Sequence, residues 1–120
     1  MAFYEKIDKK YYILYNKNVK NESSTQRLFE WDYEKERRNI RLHKISFETA
    51  KLVFNDPNRI ELFDLNHSGM EDRIITIGKV DKVLFVVHTE RGNKTRIISA
   101  RIATKAERRL YGTDFIGFNR

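Results

Sequence analysis

The pattern of apolar residues changes its period after Pro57, and this change constrains the fold more than any other feature of the sequence. After it come four segments with the composition of β-strands, at about residues 59–65, 73–80, 83–90 and 95–102. Their connectors are short and rich in turn-forming Asn, Asp and Gly. Strands joined in this way form consecutive hairpins. We therefore expect an antiparallel β-meander.

Capping signals predict helices on both sides of the meander. Asp32 can cap a helix over about residues 33–42, and Ser46 can cap a second, shorter helix. After the last strand, Thr104 and Glu107 form a capping box, so another helix begins there. The predicted fold class is α+β: N-terminal helices packed on an antiparallel meander of about four strands, followed by a C-terminal helix.

The length predicts a single domain with a segment at either end. A chain of 120 residues is long enough for one hydrophobic core and too short for two. Residues 28–112 contain the predicted helices and strands, whereas residues 1–27 form an N-terminal extension or linker and residues 113–120 a C-terminal tail. Within the extension, residues 11–15 have strand-like composition. They add one edge strand to the domain or become ordered only with a partner.

The distribution of charge predicts a polyanionic partner. The net charge is +7, and residues 91–109 carry seven basic residues against one acid. Residues 48–72 have instead a net charge of −4. Basic and acidic stretches are therefore separate along the chain.

Several classes of site are absent from the sequence. There are no cysteines, and the three histidines are too widely separated for a recognised metal-binding spacing. Neither a glycine-rich phosphate loop nor a nucleophile elbow is present. No stretch is apolar enough for a signal peptide or a membrane span. We expect no cofactor, no metal, no membrane contact and a cytoplasmic location.

The last predicted strand carries two arginines. Strict alternation of side chains puts Arg96 and Ala100 on one face of this strand and Arg101 on the other. Each arginine is then either a contact for a phosphate group or half of an ion pair with Glu90 or Glu107.

Several short blocks between Phe29 and Tyr111 together resemble the BrnT family of bacterial toxins. They include Phe29-Glu30-Trp31-Asp32, Asn39 followed by His43, Ser46-Phe47-Glu48, Glu71-x-Arg73, Thr89-Glu90-Arg91-Gly92, Arg96-Ile97-Ile98-Ser99-Ala100-Arg101 and Glu107-Arg108-Arg109-x-Tyr111. The resemblance implies a RelE-like fold and an endoribonuclease that inhibits translation. It also implies a BrnA-like antitoxin that neutralises the toxin in a hetero-oligomer and binds operator DNA, so that the complex represses its own operon.

Cleavage of RNA without a metal needs a proton acceptor, a proton donor and cations that stabilise the transition state. The resemblance implies which residues supply them. The candidates for catalysis are His43, Arg73, Arg96 and Arg101, those for RNA binding are Arg91, Lys44 and Arg41, and Glu71 and His88 rank lower.

Each histidine also has a structural explanation. His43 lies among basic residues at the predicted end of a helix, where positive charge favours its neutral form, but capping or polar packing explains it equally well. His88 shares a strand face with Leu84 and Val86, which favours a hydrogen-bonded core histidine. His67 falls in a predicted loop and is expected to be exposed.

The chain departs from the family pattern on both sides of His43. The family usually has Lys-His-Gly, whereas this chain has Leu42-His43-Lys44. Either Lys44 or Arg41 supplies the missing charge from a neighbouring position, or the chain is a catalytically weakened subunit. Such a subunit would bind nucleic acid or dock to the antitoxin in operon repression.

Overall fold

The described part of the chain contains one β-sheet and a small number of short helices. A computed structural model describes residues 2–6, 11–16, 27–64, 69 and 71–112. The elements are β1 (Ala2–Lys6), β2 (Tyr11–Asn16), β3 (Leu28–Glu30), α1 (Tyr33–His43), α2 (Phe47–Ala50), a 3-10 helix (Lys51–Asn55), β4 (Ile60–Asp64), β5 (Ile74–Val80), β6 (Lys82–Arg91), β7 (Lys94–Ile102) and α3 (Lys105–Gly112). None of these helices is long and apolar enough to cross a membrane.

The strands lie in the order β1-β2-β4-β5-β6-β7-β3. Strands β4 to β7 pair antiparallel in sequence order and are the predicted meander. Two α-helices and the 3-10 helix precede the meander and one α-helix follows it, so the predicted α+β class is confirmed. The architecture is consistent with a RelE-like fold.

The sheet is wider than the predicted meander. At one edge β3 pairs in parallel with β7, and at the other β2 pairs with β4 and is itself covered by β1. Residues 11–15, for which an added edge strand was one of two alternatives, thus lie in the inner strand of a hairpin. Such pairings join residues far apart in sequence, so local patterns do not reveal them. The predicted loop residue His67 and the tail, residues 113–120, lie outside the described residues.

Side chains that cap the helices form the predicted contacts. The Asp32 carboxylate accepts hydrogen bonds from the backbone N–H groups of Glu34 and Lys35, at 2.8 and 3.1 Å. These two bonds hold the pKa of Asp32 below its usual value. Ser46 caps α2 through the N–H of Thr49 at 3.0 Å. The second helix is only four residues long and tightens into the 3-10 helix.

Helices cover both faces of the sheet. On the first face, Val86 and Ala100 belong to a buried cluster with Phe47 of α2 and Phe54 of the 3-10 helix. The 3-10 helix comes so close to β5 that the strand has room only for Gly78 there.

The second face has a core of its own. Ile75, Ile77 and Phe85 are buried there, and Leu110 and Tyr111 of α3 pack against them. Because α3 is short, it covers only part of this face. The rest of the second face carries charged side chains, among them Arg91 and Arg96.

Candidate functional site

β7 contains a β-bulge that changes which of its side chains share a face. His88 of β6 pairs with Ile97, whereas the preceding Val87 pairs with Ser99. Ile98 is therefore an extra residue in β7, and the alternation of side chains shifts by one position there.

The bulge places Arg96 and Arg101 on the same face. Arg96 lies opposite Thr89 and Arg101 opposite Phe85, and these two β6 residues are four positions apart on an uninterrupted stretch. Both arginines are therefore on the second face, and the prediction that each face carries one arginine is wrong. Strict alternation failed because a bulge leaves no clear signal in a strand of this composition.

Arg101 forms a bidentate ion pair with Glu107 of α3. Its Nη1 and Nη2 donate to the two carboxylate oxygens at 2.8 and 2.9 Å. Its guanidinium also stacks on Phe85, 4.0 Å from the ring centroid. Burial raises the pKa of Glu107, but hydrogen bonds from Arg101 and from the Thr104 N–H outweigh burial and lower it. The ion pair with Glu107, one of the alternatives that the sequence left open for Arg101, is thus present.

Arg96 pairs with Glu30 rather than with Glu90 or Glu107. The parallel register sets Glu30 directly beside Arg96, and the Arg96 Nη1 lies 3.3 Å from the Glu30 Oε2. Both side chains are about one quarter to one third exposed, at 27% and 30%. The partner was not predicted because β3 is parallel to β7 and its pairing is nonlocal.

Arg91 and Arg73 lie at the same end of the second face. Arg91 Nε is 3.5 Å from the Glu71 Oε1, and both side chains are half exposed. The backbone of Arg73 continues the β4–β5 ladder through its carbonyl oxygen, which accepts from the N–H of Asp64 at 2.9 Å. Extending the β5–β6 register by one residue sets Arg73 opposite Thr89. One row across the sheet therefore holds Arg73, Thr89, Arg96 and Glu30.

The last turn of α1 carries His43, with Arg41 before it and Lys44 after it. All three are exposed. Lys44 ends the helix in the left-handed conformation, with φ of 63°, and its Nζ donates to the carbonyl oxygen of Arg41 at 3.1 Å. Glycine is the residue best suited to this conformation. A lysine therefore occupies a backbone position that favours glycine.

Asn39 attaches α1 to the open edge of β7, beyond the end of β3. Its Nδ2 donates to the carbonyl oxygens of Ala100 and Ile45 at 2.8 and 2.9 Å, and its Oδ1 accepts from the Ala100 N–H at 3.0 Å. His43 lies one helical turn further on, and Ala100 directly precedes Arg101. The end of α1 is therefore near the Arg101 end of β7, although no hydrogen bond or ion pair among the described residues joins His43 to an arginine.

His88 belongs to the opposite, first face. It is 1% exposed, its Nε2 lies 2.8 Å from the Thr76 Oγ1, and its ring meets Phe54 edge-on. Its Nδ1 is 3.4 Å from the Glu90 Oε2. Burial raises the pKa of Glu90, but the nearby His88 ring, Thr95 and the charge of Arg27 lower it overall. The sheet separates His88 from the arginines of the second face, as expected for a core histidine.

The sequence did not reveal a role for two residues of this region, Glu30 and Asn39. Glu30 could not be assigned because its contact depends on a nonlocal strand pairing. Asn39 left a weak signal: it is a poor helix former in the middle of a predicted helix, which often marks a side chain that bonds elsewhere. In the described part of the chain, no group of three or more His, Asp or Glu side chains is placed to hold a metal ion.

Comparison with known families gives a match over most of the chain. The family model for the ribonuclease toxin BrnT of type II toxin–antitoxin systems matches residues 31–107 of the 120. A comparison with curated proteins found no match. The matched range contains α1, the whole meander and the first residues of α3, including Glu107. The chain therefore belongs to the BrnT family of ribonuclease toxins.

Proposed function

We propose that this chain is a metal-independent endoribonuclease that cleaves RNA, inhibits translation and is neutralised by a BrnA-like antitoxin. The observation that carries the proposal is the bulge in β7, because it gathers Arg96 and Arg101 on one face. Arg91 and Arg73 lie at the Arg96 end of that face, and Arg101 lies further along it. A phosphate group placed at the Arg96 end would meet guanidinium groups from three neighbouring strands or strand ends.

These arginines suit the chemistry of RNA cleavage. Attack of the ribose 2′-hydroxyl on its own phosphate builds up negative charge on the phosphate oxygens. Guanidinium groups pair with these oxygens through two parallel hydrogen bonds and stay charged throughout. In this role they replace the charge of a metal ion.

His43 is the proposed group for proton transfer. The imidazole is exposed at the end of α1, and its two ring nitrogens allow the side chain both to accept and to donate a proton. Arg41 and Lys44 beside it extend the positive surface available to RNA. Glu71, 3.5 Å from Arg91, is the alternative proton acceptor.

The proposed partners follow from the family. The toxin would act on RNA in the cytoplasm and form a hetero-oligomer with its antitoxin, which would carry the complex to operator DNA. The basic surface of the second face suits either polyanionic RNA or acidic side chains of an antitoxin.

A second candidate function is a catalytically weakened subunit that binds nucleic acid or docks to the antitoxin in operon repression. Two observations favour it. Leu42, exposed to 73%, stands where the family usually has a lysine, and Arg96 and Arg101 are both held by carboxylates. The two candidates differ in one result, the appearance of cleaved RNA.

The test measures growth and the integrity of total RNA after controlled expression in bacteria. Wild type is compared with His43→Ala and Arg101→Lys, and with Arg38→Ala as a matched control. Arg38 is an exposed cation of α1. Arg101→Lys keeps the positive charge but removes the bidentate hydrogen bonding of the guanidinium.

The enzyme proposal expects growth arrest and RNA cleavage with wild type and Arg38→Ala, and loss of both with the other two variants. Cleavage by purified protein should persist in EDTA. Intact RNA with the folded wild-type protein would reject the enzyme and favour the binding subunit.

A further inference from the structure

Three arginines of the second face each have a glutamate partner that comes from outside the β6–β7 hairpin. Glu71 precedes β5, Glu30 lies in β3 and Glu107 in α3. The three Arg–Glu contacts range from 3.5 Å to 2.8 Å, and the Arg101–Glu107 pair is the shortest.

The Glu107 carboxylate occupies the position that suits a phosphate. A carboxylate and the two non-bridging oxygens of a phosphodiester present the same kind of fork to a guanidinium. Both Nη atoms of Arg101 are used by the two oxygens of Glu107 at 2.8 and 2.9 Å. RNA phosphate that binds these atoms must first displace the carboxylate.

Displacement would leave Arg101 in place. Its guanidinium rests on the Phe85 ring, 4.0 Å from the centroid, and this contact does not depend on Glu107. The side chain of Arg101 is one third exposed, at 33%, so an incoming anion can reach it. The guanidinium therefore stays in position when an RNA phosphate replaces the Glu107 carboxylate.

We infer that Glu107 competes with RNA phosphate for Arg101 and thereby sets the affinity of this chain for RNA. The inference rests on the proposed function, since it takes RNA as the ligand of the second face. Glu107 would be a residue that determines specificity: only an RNA with enough phosphate contacts elsewhere on the face displaces it. Removal of its charge should then tighten the binding of RNA.

The variant that tests this is Glu107→Gln. Glutamine serves at this position of a capping box as glutamate does, so the start of α3 is kept. The matched control is Glu48→Gln, which changes the net charge equally. Glu48 lies in α2 on the other side of the sheet, where it pairs with Lys51 at 3.0 Å. Thermal unfolding of each variant checks that the fold is retained.

The assay measures the affinity for a 2′-O-methyl RNA oligonucleotide, which lacks the attacking hydroxyl, at one fixed salt concentration. We expect Glu107→Gln to bind about fivefold more tightly than wild type, the factor that a partly exposed ion pair typically contributes. Glu48→Gln should change the affinity by less than about twofold. Equal gains in both variants, or weaker binding by Glu107→Gln, would overturn the inference.

A second comparison separates competition from simple repulsion of RNA by Glu107. Arg101→Met is compared with the double variant Arg101→Met, Glu107→Gln. Competition requires Arg101, so the gain from Glu107→Gln should fall to less than half in this background. A gain of half or more means repulsion and rejects the inference. Binding results leave the ribonuclease proposal untouched, because that proposal fails only if wild type leaves RNA intact.

Discussion

Asn39 offers a sharp test of how α1 is held against the sheet. Its side chain is 5% exposed and forms three hydrogen bonds with the backbone, two with Ala100 and one with Ile45. Asn39→Ala removes all three and leaves one N–H and two carbonyl groups without their partners. Each such group costs about 1–3 kcal/mol when it stays buried, and less where water can enter at the edge of the sheet. We expect a loss of about 3 kcal/mol in the free energy of unfolding.

The measurement is equilibrium unfolding in urea. With a slope of about 2 kcal/mol per molar, a loss of about 3 kcal/mol lowers the midpoint by about 1.5 M. The slope itself should not change. Arg38→Ala is the matched control, because Arg38 is the preceding, exposed residue of α1 and its truncation should cost no more than about 0.5 kcal/mol.

A near-isosteric variant tests the role of the amide donors. Asn39→Asp keeps an acceptor for the Ala100 N–H but places a carboxylate against two carbonyl oxygens. It should destabilise the protein at neutral pH about as much as the alanine variant does. A midpoint of Asn39→Ala within about 0.5 M of wild type would refute the reasoning, since it would mean that the three hydrogen bonds contribute almost nothing.

The remaining predictions concern single contacts measured by thermal or urea unfolding. Lys44→Gly should stabilise the protein by about 0.5–1 kcal/mol, because φ of 63° strains any residue with a Cβ; an unchanged midpoint would contradict this. Gly78→Ala should cost about 1–3 kcal/mol, since its Cβ would lie 2.9 Å from the Val53 Cβ and 3.1 Å from the Val53 carbonyl oxygen, and Val53→Ala in the same chain should not restore the midpoint because alanine keeps both atoms. Burial and the Asp56 carboxylate, 2.6 Å from the Tyr111 hydroxyl, raise the pKa of Tyr111 from 10.0 to about 12. The contribution of this hydroxyl to the free energy of unfolding is therefore complete below pH 10 and is lost as the pH rises towards 12. Tyr111→Phe should remove this part of the loss of stability at alkaline pH.

Much of the fold was predictable because it is encoded within a few neighbouring residues. A cap needs one side chain and an N–H group two or three residues further on, so Asp32, Ser46 and Thr104 mark where helices begin. The meander follows from strand composition and short connectors for the same reason. The basic residues of β6, β7 and α3 can likewise be identified from the sequence alone. The same is true of the resemblance of the chain to the BrnT family.

The arrangement of the candidate site was decided by the tertiary structure. The faces of Arg96 and Arg101 depend on the bulge at Ile98, and one extra residue reverses the prediction for every side chain beyond it. The partner of Arg96 depends on the pairing of β7 with β3. This strand lies more than sixty residues earlier in the sequence and is parallel to β7.

Sequence by itself therefore determined the capped helices, the four-stranded meander and the charges that they carry, but it did not reveal β1 or β3. Only the tertiary structure decided which of those charges share a face and which carboxylate each arginine holds. The physical reason is the range of the interactions. Caps and turns are formed by hydrogen bonds between residues a few positions apart in the sequence. Strand register and ion pairing instead depend on packing across the whole sheet.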